Sequence, residues 1–474
     1  MVKKHICLVH GIMGTFSIKC ATLAMIIFWV GFTSMVRADC ILDHDQDGDL
    51  DGQDVAVFAA SFDPACLASL AGLFGSTDVS ADYLPGDIMA PWEGGPAYYA
   101  AWPNGLPADD TFFPIAVWLQ APENTATATA YKDMGVNLHI GLWQGPTEAQ
   151  LAAVAALPSA AICTQNTVGL TSVNNSVIKA WMHQDEPDNA QNGTQDPVPV
   201  QDIIDLYQQM KRQDPTRPVY LNLGQGVASD PWYGRGNRTN HPEDYPLYAQ
   251  GADILSFDIY PMNTFPRPES DPPWFKAHDN VVAQNIWYVA SGVDRLRQWV
   301  DYAKPVWVWI ETTNFDGDDR YAMTPTHVRA EVWMALIHGA RGIGYFCHQF
   351  SPTFIEAGLL ANPEMSAAVA DINAQIISLA AILNTPSVEN GVSVTTDDPN
   401  IPVDTMIKRY AGFTYLFAVA MRPEATQAVF TLRGLDGSQN VAVIDEERVL
   451  TAEQGRLEDV FDGYEVHIYK MQTP

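Results

Sequence analysis

Three acidic side chains stand where apolar runs give way to turns. In KAWMHQDEPDN the run closes on Asp185 and Glu186, directly before Pro187, and in PVWVWIETTN it closes on Glu311. A carboxyl group can serve as proton donor, base or nucleophile. Two of them facing one another can protonate a leaving oxygen and attack, or deliver water to, the carbon left behind, which is what cleavage of an acetal or a glycosidic bond requires. Motifs for other routes are missing: the chain has no GxSxG, GxxxxGK[ST], HExxH or GxGxxG.

A second acidic motif has a different chemistry. In DHDQDGDLDGQD, the residues Asp43, Asp45, Asp47, Asp49, Asp51 and Asp54 alternate as the oxygen ligands of a calcium loop do, with Gly48 at the turn. Val55, Phe58 and Phe62 then share one helical face, as an exit helix needs. The expected cofactor is a structural calcium ion in this loop, with none for catalysis.

The carboxylates at the ends of apolar runs need a scaffold that brings those ends together. From about residue 111, runs at 113–120, 137–143, 160–165, 177–183, 219–223, 254–260, 306–311 and 342–348 alternate with helical patterns, which predicts a (β/α)8 TIM barrel over 111–385. Helix starts are marked by Thr147 with Gln150 and by Thr324 before Pro325. Strand C-termini converge in such a barrel, so Glu186 and Glu311 are expected on one face. Trp118 and Trp143 close the first two runs, where an aromatic face can stack on a sugar ring or fill the core. His183 and His348 lie near strand ends and are further candidates for substrate contact. Residues 386–474 change character: short alternating runs separated by Gly, Asp, Asn and Pro predict an antiparallel β-sandwich.

Composition bounds the partners. Against 26 Lys and Arg stand 56 Asp and Glu, a formal net charge of −30, which excludes nucleic acid and an anionic membrane surface as partners. Lys3 and Lys4, the apolar stretch 21–36 and Val36-Arg37-Ala38 read as a secretory signal over 1–38, so the protein is expected outside the cytoplasm: secreted, cell-surface or periplasmic, with no stable membrane span after cleavage. Residues 39–66 form the calcium-loop module, bracketed by Cys40 and Cys66, for which export permits a disulfide. Residues 67–110, rich in Gly, Pro, Ala and Ser, read as linker and lead-in. Cys163 and Cys347 fall inside predicted strands and are expected as buried thiols.

On Trp181, Glu186-Pro187 and Glu311 the chain resembles clan A of the retaining glycoside hydrolases. The resemblance implies Glu186 as acid/base and Glu311 as nucleophile, with Tyr260, at the end of DILSFDIYP, as the tyrosine that hydrogen-bonds the nucleophile. Asp185 departs from the pattern, standing where the clan carries the Asn that contacts the substrate. An adjacent Asp-Glu pair is also similar to that of substrate-assisted N-acetylhexosaminidases, which would make Asp185 and Glu186 the working pair and Glu311 a binding residue. A third reading is a non-catalytic surface protein that binds carbohydrate. The calcium loop, ending in Asp54, resembles a dockerin repeat, which implies a cohesin-like or cell-surface partner; a dockerin normally carries two repeats, and one is found here.

Overall fold

The computed structural model describes residues 82–191, 193–263, 285–315 and 323–473. The chain divides into two compact units, Met1–Trp92 and Glu93–Pro474. Of the first, residues 82–92 are described; a turn there is closed by Leu84 N–H donating to Asp87 Oδ2 at 2.8 Å. The signal segment, the calcium loop with its six aspartates, and Cys40 and Cys66 lie outside the described residues.

The second unit opens with a closed parallel barrel. Its strands are β1 (Ile115–Trp118), β2 (Leu138–Ile140), β3 (Ala160–Thr164), β4 (Ile178–Met182), β5 (Val219–Leu223), β6 (Ile254–Asp258), β7 (Val306–Glu311) and β8 (Ile343–Phe346). Each pairs with the next, and β8 returns to β1. All eight expected runs form strands. Several are shorter than the apolar run containing them, because the ladder stops where the chain turns toward its helix. Those helices are α1 (Thr125–Asp133), α2 (Glu148–Ala156), α3 (Thr167–Thr171), α4 (Val200–Gln213), α5 (Tyr245–Tyr248), α6 (Tyr288–Trp299), α7 (Pro325–Ile337) and α8 (Pro363–Ser378), one following each strand. The start of α2 has the expected capping box, with Gln150 N–H donating to Thr147 Oγ1 at 3.2 Å and Thr147 N–H to Gln150 Oε1 at 2.9 Å.

Two indoles fill the lumen. Trp307 and Trp309 point inward from β7, and the positions facing them are Gly342, just before β8, and Gly344 of β8. A methyl group added at Gly344 would stand 2.4 Å from the Trp309 ring, and one at Gly342 would stand 2.4 Å from Trp307. Large residues on one strand are thus matched by the absence of side chains on its neighbour, as close packing demands. Trp309 meets Trp118 edge-on at 5.2 Å and donates its N–H to Tyr220 Oη at 3.1 Å, so neither its polar atom nor its ring is left unpartnered. Cys163 and Cys347 are buried free thiols.

Residues 392–472 form β9 (Val392–Thr396), β10 (Val403–Tyr410), β11 (Phe413–Ala420), β12 (Thr426–Leu432), β13 (Ser438–Val443), β14 (Arg448–Glu453), β15 (Arg456–Phe461) and β16 (Val466–Gln472). They pair antiparallel in the order β10-β11-β16-β13-β14-β15-β12-β9, the antiparallel C-terminal β-domain that the sequence predicts. The sheet must curl. Its edge strands β9 and β10 are joined by residues 397–402, which reach at most about 23 Å, whereas eight flat strands would spread over about 34 Å.

Three contacts fix this sheet to the barrel. Trp333 of α7 stacks on Phe417 of β11 at 5.5 Å. The buried Glu93 carboxylate meets Arg341, just before β8, at 2.5 Å and Lys408 of β10 at 3.0 Å; burial opposes its charge, but Arg341, Lys408 and Arg297 hold it far below the usual carboxylate range. His338, after α7, bridges Asp294 of α6 at 2.8 Å and Asp404 of β10 at 3.0 Å. Burial alone would lower the His338 pKa, yet the two carboxylates outweigh it and raise it to about 9.

A histidine whose folded pKa lies above its unfolded value, about 6.5, adds stability that is complete below that value and lost as pH rises through about 9. Thermal unfolding of His338→Ala against wild type should therefore show a stability gap at pH 6 that closes by pH 10. A gap independent of pH would show that the ring acts by packing alone.

Candidate active site

The acidic segment begins one residue past β4. His183, Gln184, Asp185 and Glu186 carry the chain off the strand into the Pro187 turn, and Glu186 adopts a left-handed backbone, φ 42°. A non-glycine residue held there stores strain, so its surroundings must over-determine it. They do: Asn189 N–H donates to Glu186 O at 3.0 Å, and Gln191 Nε2 donates to the carbonyls of both Asp185 and Glu186 at 2.9 Å. Asp185 and Glu186 are half-buried, set among protein groups yet open to solvent on one side.

The adjoining strands supply the partners. Asn222 of β5 donates its amide both to Asp185 Oδ1 and to Asp258 Oδ1, each at 2.9 Å, while its own Oδ1 accepts from Ser256 Oγ at 2.6 Å. One amide therefore spans two carboxylates. Asp258 closes β6, and its second oxygen accepts the Tyr260 hydroxyl at 2.8 Å. Asp188, fully buried, accepts Gly224 N–H at 2.8 Å and the Tyr245 hydroxyl at 3.1 Å, with the Arg235 guanidinium nearby.

Four acids in so small a volume cannot all be charged. Burial, relieved only in part by Asn222, pushes Asp185 up to about 6. For Asp258, burial and then the charge of Asp185 push it up to about 8. Glu186 is raised well above the carboxylate range, by burial first and then by Asp258, Asp185 and Asp188. Asp185, Glu186 and Asp258 titrate as a unit. In it Asp185 ionises before Asp258 and Glu186 retains its proton, the division of labour that acid-assisted bond cleavage needs.

Glu311 has other neighbours. It closes β7 fully buried, with Oε1 accepting Met262 N–H at 2.7 Å and Oε2 accepting Asn263 N–H at 3.1 Å and Asn263 Nδ2 at 2.6 Å. Glu331 of α7, a fully buried acid, lies against it and is raised well above its usual range by burial and by the Glu311 charge. The Glu331 oxygens have no other hydrogen-bond partner among the described residues. Glu311 thus ties the end of β7 to the chain leaving β6. The carboxylates that act most strongly on Glu186 are Asp258, Asp185 and Asp188.

The other expected site residues divide between the pocket and its margins. Tyr260 belongs to the acid cluster through Asp258. Trp118 is buried in the lumen against Trp309, whereas Trp143 stands on the β2–α2 loop with 70% of its surface exposed. His183 turns away, its Nε2 bonded to Gly251 O at 2.8 Å, and burial lowers its pKa. Burial likewise lowers that of His348, which is ringed by Phe346, Phe350 and Phe354 at 5.1, 6.2 and 5.6 Å. Phe350 and Phe354 are more than half exposed and extend an aromatic surface outward from Tyr260 and Phe346. Asp258, Asn222 and Asp188 escaped the sequence reading. Asp258 stands two residues before Tyr260, on the same face of the strand, and Asn222 interrupts the apolar run VYLNL; both are signals that alternation carries.

No protein-family model and no curated protein matches the chain. Among solved structures it is similar to a GH30 endoxylanase from Clostridium papyrosolvens C71, with 12% identity and a TM-score of 0.42 over 76% of this chain and 96% of that one. It is also similar to a GH42 beta-galactosidase from G. stearothermophilus, at 9% identity and a TM-score of 0.48 over 76% and 98%. An alpha-amylase from Geobacillus thermoleovorans shares 11% identity at a TM-score of 0.40, over 77% and 98%. Similarity at this level carries no argument for substrate or mechanism, which rest on the residues of the site.

An acid whose folded pKa is raised adds stability that is complete below its unfolded value and is lost as pH rises through the folded one. Asp258→Asn, which keeps the shape without the charge, should therefore unfold at a higher temperature than wild type at pH 8, with the difference fading toward pH 4. Equal midpoints at both pH values would mean that Asp258 is ionised and well solvated.

Proposed function

We propose that the protein is an exported glycoside hydrolase that cleaves O-glycosidic bonds in an oligo- or polysaccharide, with Glu186 as the proton donor. The observation that carries this is a half-buried carboxyl at the mouth of a barrel, held protonated by burial and by Asp258, Asp185 and Asp188. In the reaction the Glu186 proton passes to the glycosidic oxygen as the bond from that oxygen to the anomeric carbon breaks. Water later gives its hydroxyl to that carbon and its proton to the Glu186 carboxylate.

Two arrangements complete the chemistry. In double displacement with retention, Glu311 attacks the anomeric carbon and the two carboxyl groups need to stand about 5 Å apart, which asks the Glu311 carboxylate to leave Met262 and Asn263. Substrate assistance uses a 2-acetamido oxygen as the nucleophile, with Asp185 orienting the amide. The place of Asp185 in the acid cluster, raised less than Asp258, favours this second arrangement. The signal over 1–38 and the calcium loop at Asp43–Asp54 complete the proposal: a protein acting outside the cytoplasm, whose calcium-bound module docks to a cohesin-like or cell-surface partner.

The test uses aryl glycosides carrying a 2-hydroxyl or a 2-acetamido group. Glu186→Gln should lower kcat by about 10²–10⁴-fold on a poor leaving group and far less on dinitrophenolate, which departs without a proton, while circular dichroism stays unchanged. Full activity of Glu186→Gln on both would end the proposal. Asp185→Asn disabling only 2-acetamido substrates selects substrate assistance; Glu311→Gln abolishing turnover, with rescue by azide, selects double displacement.

A further inference from the structure

A cavity of about 900 Å³ lies outside the barrel wall, between α7 and α8 on one side and the β13–β14 and β15–β16 turns of the sheet on the other. Its lining includes Arg329, Asp371, Gln375, Asp445, Glu446 and Tyr464. None of these belongs to the acid cluster at the barrel mouth.

The polar groups of this cavity are unevenly satisfied. Glu446 is engaged by His467 at 2.6 Å and Arg448 at 2.7 Å, and Asp445 accepts Gln375 Nε2 at 2.7 Å. Gln375 is 94% buried, and its other amide atom, Oε1, has no hydrogen-bond partner. A buried amide oxygen left this way bears the full cost of its lost hydration. Arg329 faces Glu446, Asp445 and Asp371 across the space, yet among the described residues neither it nor Asp371 makes a hydrogen bond or ion pair. Asp462 and Glu465 also line the space, Glu465 accepting Asp462 N–H at 2.8 Å; with Glu446, Asp445 and Glu465 discounted, the Arg329 guanidinium, the Asp371 and Asp462 carboxylates and the Gln375 amide oxygen remain, with the Tyr464 ring beside them.

That inventory selects a ligand class. A lone cation would need three or more oxygens converging on one point, and no cluster of His, Cys, Asp and Glu does so among the described residues. An anion would meet five carboxylates, Asp371, Asp445, Glu446, Asp462 and Glu465, for one guanidinium. A neutral polyhydroxyl compound suits the mixture: hydroxyl pairs accept from the planar guanidinium and donate to the carboxylate and the amide oxygen. The volume lies within the range of small-molecule sites.

We propose that this cavity is a second, non-catalytic saccharide site, which holds a neutral oligosaccharide where the curled sheet meets the barrel. The choice of a sugar over other neutral polyols rests on the proposed glycosidase activity. Binding here would keep a polymer beside the enzyme between cleavage events without entering the chemistry.

Calorimetric titration of the full-length Glu186→Gln protein with xylotriose, maltotriose and cellotriose tests this. At least one probe should bind at a site that the added changes Arg329→Gln and Asp371→Asn weaken tenfold or more. In the wild-type background the same two changes should leave turnover of aryl glycosides unaltered and slow hydrolysis of the matching polymer. Binding that is absent, or indifferent to Arg329 and Asp371, overturns the inference. Turnover of aryl glycosides by the wild type reports on the glycosidase reading separately: if it persists, only the second site has failed.

Discussion

Four carboxyl groups brought together at one end of a barrel cannot all lose their protons, and the site is organised around that restriction. Asp185, Glu186 and Asp188 lie on the turn that leaves β4 and Asp258 closes β6, so the convergence of strand ends itself imposes the crowding. Each charge admitted to the cluster is then met individually. Asn222 spans Asp185 and Asp258, the Tyr260 hydroxyl takes the far oxygen of Asp258, and Gly224 N–H, Tyr245 and Arg235 attend to Asp188. Glu186 receives less relief than repulsion, and it keeps its proton. The left-handed backbone at Glu186 belongs to the same arrangement, because it is the price of turning that carboxyl toward the others immediately before a proline.

Such crowding survives only on a stiff support. Trp307 and Trp309 fill the lumen beneath the cluster, and the glycines opposite them leave no slack for the rings to shift. Tyr220 links this floor to the acids, accepting from Trp309 and sharing a hydrogen bond with Ser256, which in turn donates to Asn222. Further out, the curled C-terminal sheet is held by one buried carboxylate between two cations, by a histidine between two aspartates, and by stacked aromatic rings. It braces α6 and α7, the helices that back β6 and β7.

The barrel was legible because its strands are buried on both faces and so appear as unbroken apolar runs; β5 and β7 match their expected bounds residue for residue. Asp185 and Glu186 were legible for the related reason that charge directly after such a run must lie at its end. What the chain does not announce is the direction in which an end residue points once the strand is over. Trp118 and Trp143 look alike in sequence, yet β2 stops at Ile140, so Trp143 rides out on a loop while Trp118 stays in the lumen. Glu331, which faces Glu311, lies in the buried and apolar second half of α7, where a carboxyl gives no sign of facing another carboxyl.

The account turns on where one proton resides. Carbon-13 NMR of the glutamate carboxyls, titrated through pH 3–10 and assigned to Glu186 by its loss in Glu186→Gln, measures this directly and needs no substrate. A Glu186 carboxyl that stays protonated through neutral pH is the predicted result; one that ionises near 4.5, the ordinary value for this side chain, would contradict it.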